Sequence, residues 1–233
     1  MEKSIFMWGF FISVVLILLA LDLGVFHKKD REIDFKESLW MSSFYILIAV
    51  IFGLWVWYIK GLDAFAEYIT GFLVEKSLAL DNIFLISLIF SSLSIPLKYQ
   101  HRVLFWGILG VIVMRAVMIG LGVQIITRFE WILYIFAAFM IFTGIKMFFI
   151  SHKPAEVSEN LLLIWMKKHL NITDKLHDEK FWVYEIEPLS KTKKLFVTPL
   201  FISLIMVEFI DLVFAVDSIP AIFAITQDPY IVY

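Results

Sequence analysis

Long hydrophobic runs separated by short polar stretches make up most of this chain. Six runs are long enough to cross a bilayer, because a helix needs about 20 residues to span the ~30 Å hydrocarbon layer. They cover about Ile5–Phe26, Leu39–Ile59, Ala64–Ile95, Val103–Ile126, Trp131–Ile150 and Phe196–Ile225. Another apolar stretch begins within Gln227–Tyr233. The pattern predicts an all-α, polytopic transmembrane helical bundle of about six to seven spans.

One polar region divides this pattern into three parts. We expect five transmembrane helices over 1–150, a loop over 151–195, and a sixth helix with the start of a possible further segment over 196–233. Lys and Arg number fourteen on the side of that loop and three on the other, or six to three without the long loop. Because positive charge favours the cytoplasmic side, we expect the N-terminus outside and the loop in the cytoplasm of a bacterial-type inner membrane.

Two short elements are predicted within the polar loop. Leu161–Leu170 is apolar and ends in two lysines and a histidine, which is typical of an amphipathic helix on the membrane surface. Phe181–Glu185 and Lys194–Thr198 flank a proline-containing turn, which indicates a small hairpin. A solvated tether is the alternative for the whole loop.

Five acidic residues interrupt two of the hydrophobic runs. Glu75 and Asp81 lie in the third run, and Glu208, Asp211 and Asp217 lie in the sixth. A charged side chain at mid-bilayer costs about 2.5–3.5 kcal/mol on insertion scales, so five facing lipid would cost roughly 13–17 kcal/mol. That sum rivals the whole stability of many domains. The five acids are therefore expected to face one another, water or a cation.

The two acidic segments share one spacing. The aligned pairs are Glu75 with Asp211, Asp81 with Asp217, and Asn82 with Ser218. Because the segments are three helices apart, the two copies would cross the membrane in opposite directions. The spacing therefore predicts an inverted-topology repeat that relates the third and sixth helices, with an ion site where the repeats meet.

The side chains of both segments are hard oxygen ligands, which suit Mg, Ca and Mn rather than Cu or Zn. The predicted metal ligands are Glu75, Asp81, Asn82, Asp211, Asp217 and Ser218. Possible supporting residues are Asp22, Glu67, Glu208, Arg115 and Lys76. Glu208 and Asp217 lie on nearly opposite faces of a regular helix, so an unbroken helix could not aim all the acids at one ion, and local unwinding beside Pro220 would relax this constraint.

Two alternatives stay open for the acids. They could pair with Lys76 and Arg115, or they could be protonated and merely hydrogen-bonded. Arg115 is expected to act as a counter-ion, and Glu208 could serve only to balance it. Asp22 could join the site or lie at the membrane interface.

Composition excludes several other classes. The 233 residues are 61% hydrophobic with a net charge of −2, so nothing points to a nucleic-acid partner. The chain has no cysteine, which excludes disulfides and thiolate metal sites. It also has no phosphate loop, nucleophile elbow or His-rich metalloprotease pattern. We therefore expect neither enzymatic activity nor a bound cofactor.

Several stretches of the chain have the character of family motifs. They are Leu21–His27, Glu75–Phe84, Lys98–Gly107, and Thr198–Leu200 leading to Glu208–Ala221. Together they resemble the TerC family of integral membrane proteins over nearly the whole chain. The resemblance implies a family named for tellurium resistance, grouped with LysE-type exporters, whose bacterial members are implicated in manganese export. The positions that match the family's acidic motifs are Asp22, Glu75, Asp81, Asn82, Glu208, Asp211, Asp217 and Ser218.

The leading functional hypothesis is an exporter of divalent metal cations, with Mn2+ first. Its partners would be the lipid bilayer and the transported cation, and a homo-oligomer is left open. Rocking of the two repeats would switch access to the acids. The alternatives are a non-transporting membrane scaffold of a metal or tellurite stress-response assembly, and a LysE-like exporter of small solutes.

Overall fold

The computed structural model describes residues 2–21, 35–129, 131–149, 161–186 and 192–232. These residues form eight helices and one two-stranded sheet. The helices are α1 Glu2–Leu21, α2 Phe35–Lys60, α3 Leu62–Ser92, α4 Leu97–Arg128, α5 Ile132–Phe149, α6 Leu161–His169, α7 Pro199–Ile225 and α8 Pro229–Val232; the strands are β1 Trp182–Ile186 and β2 Lys193–Val197. The chain is therefore mostly helical, as predicted.

Within the described residues, three helices are long and apolar enough to cross a membrane by length and composition, namely Lys36–Lys60, Leu97–Arg128 and Pro199–Ile225. The helices at Phe6–Leu21 and Ile132–Ile145 are apolar but shorter. Large apolar side chains are exposed along several of these helices, which suits contact with hydrocarbon rather than water. The arrangement is that of a helical membrane protein, and a count of six to seven spans stays a prediction.

Short turns set the order of neighbouring helices. Gly61 separates α2 from α3 with φ at 95°, a conformation that glycine adopts without strain. Pro96 lies directly before α4, after a turn in which Ser94 also has positive φ. Pro199 begins α7 directly after Thr198, where its missing N–H costs the helix nothing.

α7 is the central helix, because α3, α4 and α5 all pack on it. Thr226 near the end of α7 meets Glu67 near the start of α3, so these two helices are antiparallel. α4 runs parallel to α7, since Gly107 lies against Val207 while Gly122 lies against Phe223. The adjacent, antiparallel placement of the third and sixth long helices is as predicted from the sequence.

Residues 161–186 and 192–198 form a packed unit, called here the polar module. Its hairpin pairs Trp182 with Val197 and Ile186 with Lys193, which confirms the predicted hairpin. The predicted helix is present as α6, and its Leu163 and Met166 are buried. The described part of this region is therefore not a solvated tether. The opposite face of α6 leaves apolar side chains exposed, so its placement on the membrane surface stays a prediction.

The polar module closes one end of the helical bundle. One continuous cluster, called here the sealed end, joins it to α3, α4 and α7. Its members are Ile89, Phe90, Ile95, Val103, Leu163, Met166, Phe181, Leu200, Ile202, Met206 and Val207. Backbone and side chain of Thr198 tie the module to the start of α7, because its Oγ1 donates to Lys180 O at 2.7 Å and its N–H to Phe181 O at 3.0 Å.

The opposite end of the bundle is rich in aromatic side chains and is called here the aromatic end. Its members are Met7, Trp8, Phe11, Phe52, Trp55, Val56, Ala64 and Tyr230. Tyr230 Oη donates to Met7 O at 3.3 Å, and Lys60 forms an ion pair with Asp228. These contacts hold the start of α1, the end of α2 and α8 together.

The helix is not unwound beside Pro220, contrary to the possibility raised from the sequence. α7 is continuous from Pro199 to Ile225 and contains Pro220 in its interior. The prolyl nitrogen cannot donate to the carbonyl of Val216, four residues earlier, so one helical hydrogen bond is absent. Ser218–Ala221 are buried among neighbouring helices, and this packing maintains the helix despite the missing bond.

Candidate functional site

One guanidinium joins the three central helices. Arg115 of α4 forms an ion pair with Glu75 of α3 through Nη1. On its other side, Arg115 donates from Nη2 to Asp211 Oδ1 at 3.3 Å and from Nε to Asp211 Oδ2 at 3.4 Å. This forked arrangement is the one in which guanidinium and carboxylate groups fit best. The expectation that Arg115 acts as a counter-ion to the membrane acids is met in this structure.

The register between α3 and α7 explains which positions meet. Thr226 Oγ1 donates to Glu67 Oε2 at 2.6 Å, and four residues further along α3, Gly71 lies against Ile222. Extension of this antiparallel register sets Glu75 level with Ser218. Seven residues further along, it sets Asn82 level with Asp211.

Glu75, Arg115 and Asp211 are called here the charged cluster. A cavity of about 670 Å³ reaches this cluster from the aromatic end. It is lined by side chains of α1, α3, α4, α7 and α8, most of them apolar or aromatic. Glu75 and Arg115 supply its charged lining, and Ser218 supplies a hydroxyl. This volume is in the range of small-ligand sites and far exceeds that of a bare metal ion. This cavity, which extends from the aromatic end to Glu75 and Arg115, is called here the vestibule.

Two buried oxygens near the cluster lack a partner within the described residues. They are Ser218 Oγ and Asn82 Oδ1, and Ser218 is only 2% exposed. An unsatisfied buried polar group costs about 1–3 kcal/mol, and a bound water or ion is one way in which proteins satisfy such groups. Both residues were predicted as metal ligands, and both occupy the small polar position of the aligned acidic segments.

Glu208 has a different neighbour from the one expected. Its carboxylate lies against Gly110 of α4, where even a methyl group would overlap it. The ion pairs of Arg115 go to Glu75 and Asp211, so the suggestion that Glu208 serves to balance Arg115 is not what this structure shows. Glu208 lies one turn before Asp211 on α7, on the side of the sealed end.

Two proposed supporting residues lie away from the cluster. Glu67 is two turns before Glu75 and accepts its bond from Thr226. Lys76 is exposed, with its ammonium group 5.7 Å from the centre of the Phe72 ring. Glu75 and Asp211 form their ion pairs with Arg115. For these two acids, the alternative in which they pair with Lys76 is therefore wrong.

Three predicted residues remain, namely Asp22, Asp81 and Asp217. Asp22 lies outside the described residues, and Asp81 lies in α3 with its side chain outside that description. Asp217 is half-buried on α7 and has an interaction partner. In the described ranges, no group of three or more His, Asp or Glu side chains is arranged to hold a metal ion. The six-ligand metal site thus stays a prediction.

Sequence reasoning missed the aromatic lining of the vestibule. Tyr68 and Tyr230 both line it, and Tyr68 Oη donates to Ala49 O at 2.9 Å. Tyr68 precedes Glu75 by seven residues, so the two share a helix face, and this spacing could have found it. Tyr230 carries no such local signal, because only the fold of α8 back toward α1 brings it there.

Comparison with known proteins shows which family and which relatives this chain resembles. The family model described as "Integral membrane protein TerC family" matches residues 60–233. An uncharacterised membrane protein of Rickettsia bellii is 53% identical over 226 residues, which cover 97% of this chain and 73% of that protein. One from Myxococcus xanthus is 44% identical over 97% of this chain and 69% of its own length. A Photorhabdus laumondii protein, provisionally named membrane-bound redox modulator Alx, is 40% identical over 97% and 72%. No solved structure matches the chain significantly.

Proposed function

The chain belongs to the TerC family of integral membrane proteins, and we propose that it exports divalent metal cations, Mn2+ first, across a bacterial inner membrane. The observation that carries the proposal is the cluster of Glu75, Arg115 and Asp211 at the end of a vestibule between membrane helices. Charged residues at such depth are expensive, and they commonly mark an ion pathway.

The charge balance of the cluster favours a divalent ion. Glu75, Asp211 and the nearby Glu208 carry three negative charges when ionised, against one positive charge on Arg115. Mn2+ prefers oxygen ligands of the kind that these carboxylates and Ser218 would supply. An ion of charge +2, together with the guanidinium, would balance the three acids fully, where the guanidinium alone does not.

The helix register supports an inverted repeat of α3 and α7. Aligned by sequence, Glu75 corresponds to Asp211 and Asn82 to Ser218. The register sets Glu75 level with Ser218 and Asn82 level with Asp211, so each acid lies level with the small polar residue of the other copy. The antiparallel contact between the two copies is the arrangement that an inverted-topology repeat would have. Six to seven spans arranged around such a repeat form the proposed transporter.

The two ends of the bundle support alternating access. In this structure the vestibule reaches the cluster from the aromatic end, while the sealed end packs apolar side chains on the other side. With the N-terminus outside and 151–195 in the cytoplasm, the vestibule would face outward. A cysteine introduced at Ser158 tests this orientation, because a reaction with an impermeant reagent from outside would reverse it.

The name of the Photorhabdus laumondii relative points to redox modulation. In this chain, such an effect on redox state would be indirect. The chain has no cysteine, so it cannot run a thiol–disulfide couple of its own. We propose that any redox effect follows from the transported metal. The protein is accordingly proposed as a transporter and not an enzyme.

Mn2+ flux in liposomes that contain the purified full chain tests this function. We expect flux with the wild type and its loss in Glu75→Gln, Asp81→Asn and Asp217→Asn, because each change keeps side-chain size and removes a negative charge. Asp63→Asn, at an exposed carboxylate in the first turn of α3, is the matched control and should retain flux. Folded wild-type protein that moves no Mn2+ would reject the proposal. Flux of a small organic solute instead would favour the LysE-like alternative, and loss of function only on loop deletion would favour a scaffold.

A further inference from the structure

Arg115 holds the position where the proposed substrate would meet the acids. Its guanidinium lies between Glu75 and Asp211, and bonds to both. We propose that Arg115 is a tethered cation that occupies the acid site between transport cycles and leaves it when a divalent ion binds. This inference rests on the proposed export function and deepens it.

The charged and the neutral oxygens of this site differ in whether they have a hydrogen-bond partner. The negative groups of the cluster are matched by Arg115, whereas the neutral oxygens Ser218 Oγ and Asn82 Oδ1 have no partner among the described residues. A guanidinium has only donors arranged in a planar fork, so it cannot surround itself with ligands as a metal ion does. A surrogate cation would therefore satisfy the acids and leave the neutral ligands open.

Ser218 points to a ligand independently of the acids. It is buried, and it lines the same vestibule as Glu75 and Arg115. The register of α3 and α7 sets it level with Glu75. An ion that entered through the vestibule would thus meet a free hydroxyl and the Glu75 carboxylate together, on the side from which Arg115 would be displaced.

The empty transporter has a physical need for such a cation. Two ionised carboxylates at membrane depth without a partner are costly, and the loss of one member of a buried ion pair strands the charge of the other. Arg115 would offset part of this negative charge during the return of the empty protein. It also joins α3, α4 and α7, so its release would free these helices to move at the moment when the ion binds.

A receiving group for the displaced guanidinium lies on the side of the sealed end. Glu208 lies against Gly110, which is five residues before Arg115 on α4, or about 7.5 Å along the helix axis. Helical side chains tilt toward the N-terminus of their helix, which is the direction from Arg115 to Gly110. Because Gly110 has no side chain, the Glu208 carboxylate can lie directly against the backbone of α4, on the same helix as Arg115. Arg115 would exchange Glu75 and Asp211 for Glu208 when the ion arrives.

Binding of Mn2+ alone to the purified full chain in detergent tests the competition. Free Mn2+ can be followed by its electron paramagnetic resonance signal during titration. We expect Arg115→Gln to bind Mn2+ at least about tenfold more tightly than the wild type, because no internal cation competes, and to export it more slowly. Arg128→Gln, at an exposed position in the last turn of the same helix, should keep wild-type affinity.

Arg115→Lys covers the case in which the neutral variant does not fold. Lysine keeps the charge but is a point charge without the fork, so it should hold the acids less firmly. We expect Mn2+ affinity between those of the wild type and Arg115→Gln, on the order of threefold tighter than the wild type. A purely structural role for Arg115 would not raise affinity in either variant.

The outcomes separate this inference from the proposed function. Wild-type protein that binds and moves Mn2+, together with folded Arg115 variants of equal or weaker affinity, would overturn the tethered cation and leave export standing. Binding only after Arg115 is neutralised would support the competition strongly. No binding by the wild type or by any folded Arg115 variant would overturn the metal site, and the tethered cation with it.

Discussion

The sealed end and the aromatic end of the bundle bury their side chains in different ways. At the sealed end, apolar residues of α3, α4, α7 and the polar module fill the space between helices, and Ile89, Val103 and Leu200 are fully buried. At the aromatic end, rings meet edge to face or at a tilt, as Trp8 and Tyr230 do at 5.4 Å between centroids, around a vestibule of about 670 Å³. The charged cluster lies between the two.

In the proposed transporter, this difference in packing would let an ion enter from one side of the membrane at a time. Among the described residues, the apolar side chains of the sealed end are buried against one another, and such dense packing disfavours water. At the aromatic end, the vestibule stays open between α1 and the helices beside it. An alternating-access transporter would have to exchange these two kinds of packing when it switches.

The largest contrast should come from one leucine at each end. Leu200→Ala opens a hole in the sealed end and should lower the free energy of unfolding by roughly 2–5 kcal/mol. Leu16→Ala, at a side chain that lines the vestibule and is 59% exposed, should change it by less than about 0.5 kcal/mol. Thermal unfolding in detergent measures both. Equal losses would mean that the two ends are packed alike.

Glycine contacts on α4 sharpen the comparison along one helix. A Cβ at Gly122 would lie 2.7 Å from the Phe223 ring, whereas one at Gly107 would lie 3.6 Å from Val207. Gly122→Ala should therefore cost about 1–3 kcal/mol through overpacking. Gly107→Ala should be neutral or slightly stabilising, because alanine favours helix. Stability measurements that rank the two variants in the opposite order would contradict the described packing of α4 on α7.

Thiol accessibility compares the two ends directly, because the chain has no native cysteine. Cysteine in place of Ile222, which lines the vestibule, should react with a water-soluble maleimide about tenfold faster than cysteine in place of the buried Ile202. Rates are compared in protein of matched folding, followed by mass shift. Similar rates would show that water does not enter the vestibule.

The smallest effect should come from the contact that holds the polar module to α4. Arg102 pairs with Glu179 at 2.5 Å and lies over the Phe181 ring at 5.4 Å. Both charged side chains are more than a third exposed, so Arg102→Gln should cost only about 0.5–1 kcal/mol. Lys167→Gln, at an exposed position of α6, is the control for removal of one positive charge. A loss well beyond that range would mean that this pair, rather than the apolar cluster, holds the module in place.

Local patterns in the sequence determined much of the architecture. Run length and hydropathy placed the helices within a few residues, because membrane-spanning segments must be long, apolar and internally hydrogen-bonded. The hairpin of Trp182–Ile186 and Lys193–Val197 was predicted from two stretches that flank a proline-containing segment. The acids in the third and sixth runs stood out because charge is rare in such runs.

Tertiary structure alone decided which of these groups meet. Helical periodicity gives the face of each acid but not the neighbouring helix, so the sequence could not choose between Glu208 and Glu75 as partners of Arg115. Pro220 indicated a break, yet packing around Ser218–Ala221 keeps α7 continuous. Burial of the polar module likewise depends on contacts with Ile89 and Val103, far away in the chain. Composition and spacing act over a few turns, whereas partner choice follows from the register and tilt of helices that pack together from distant parts of the sequence.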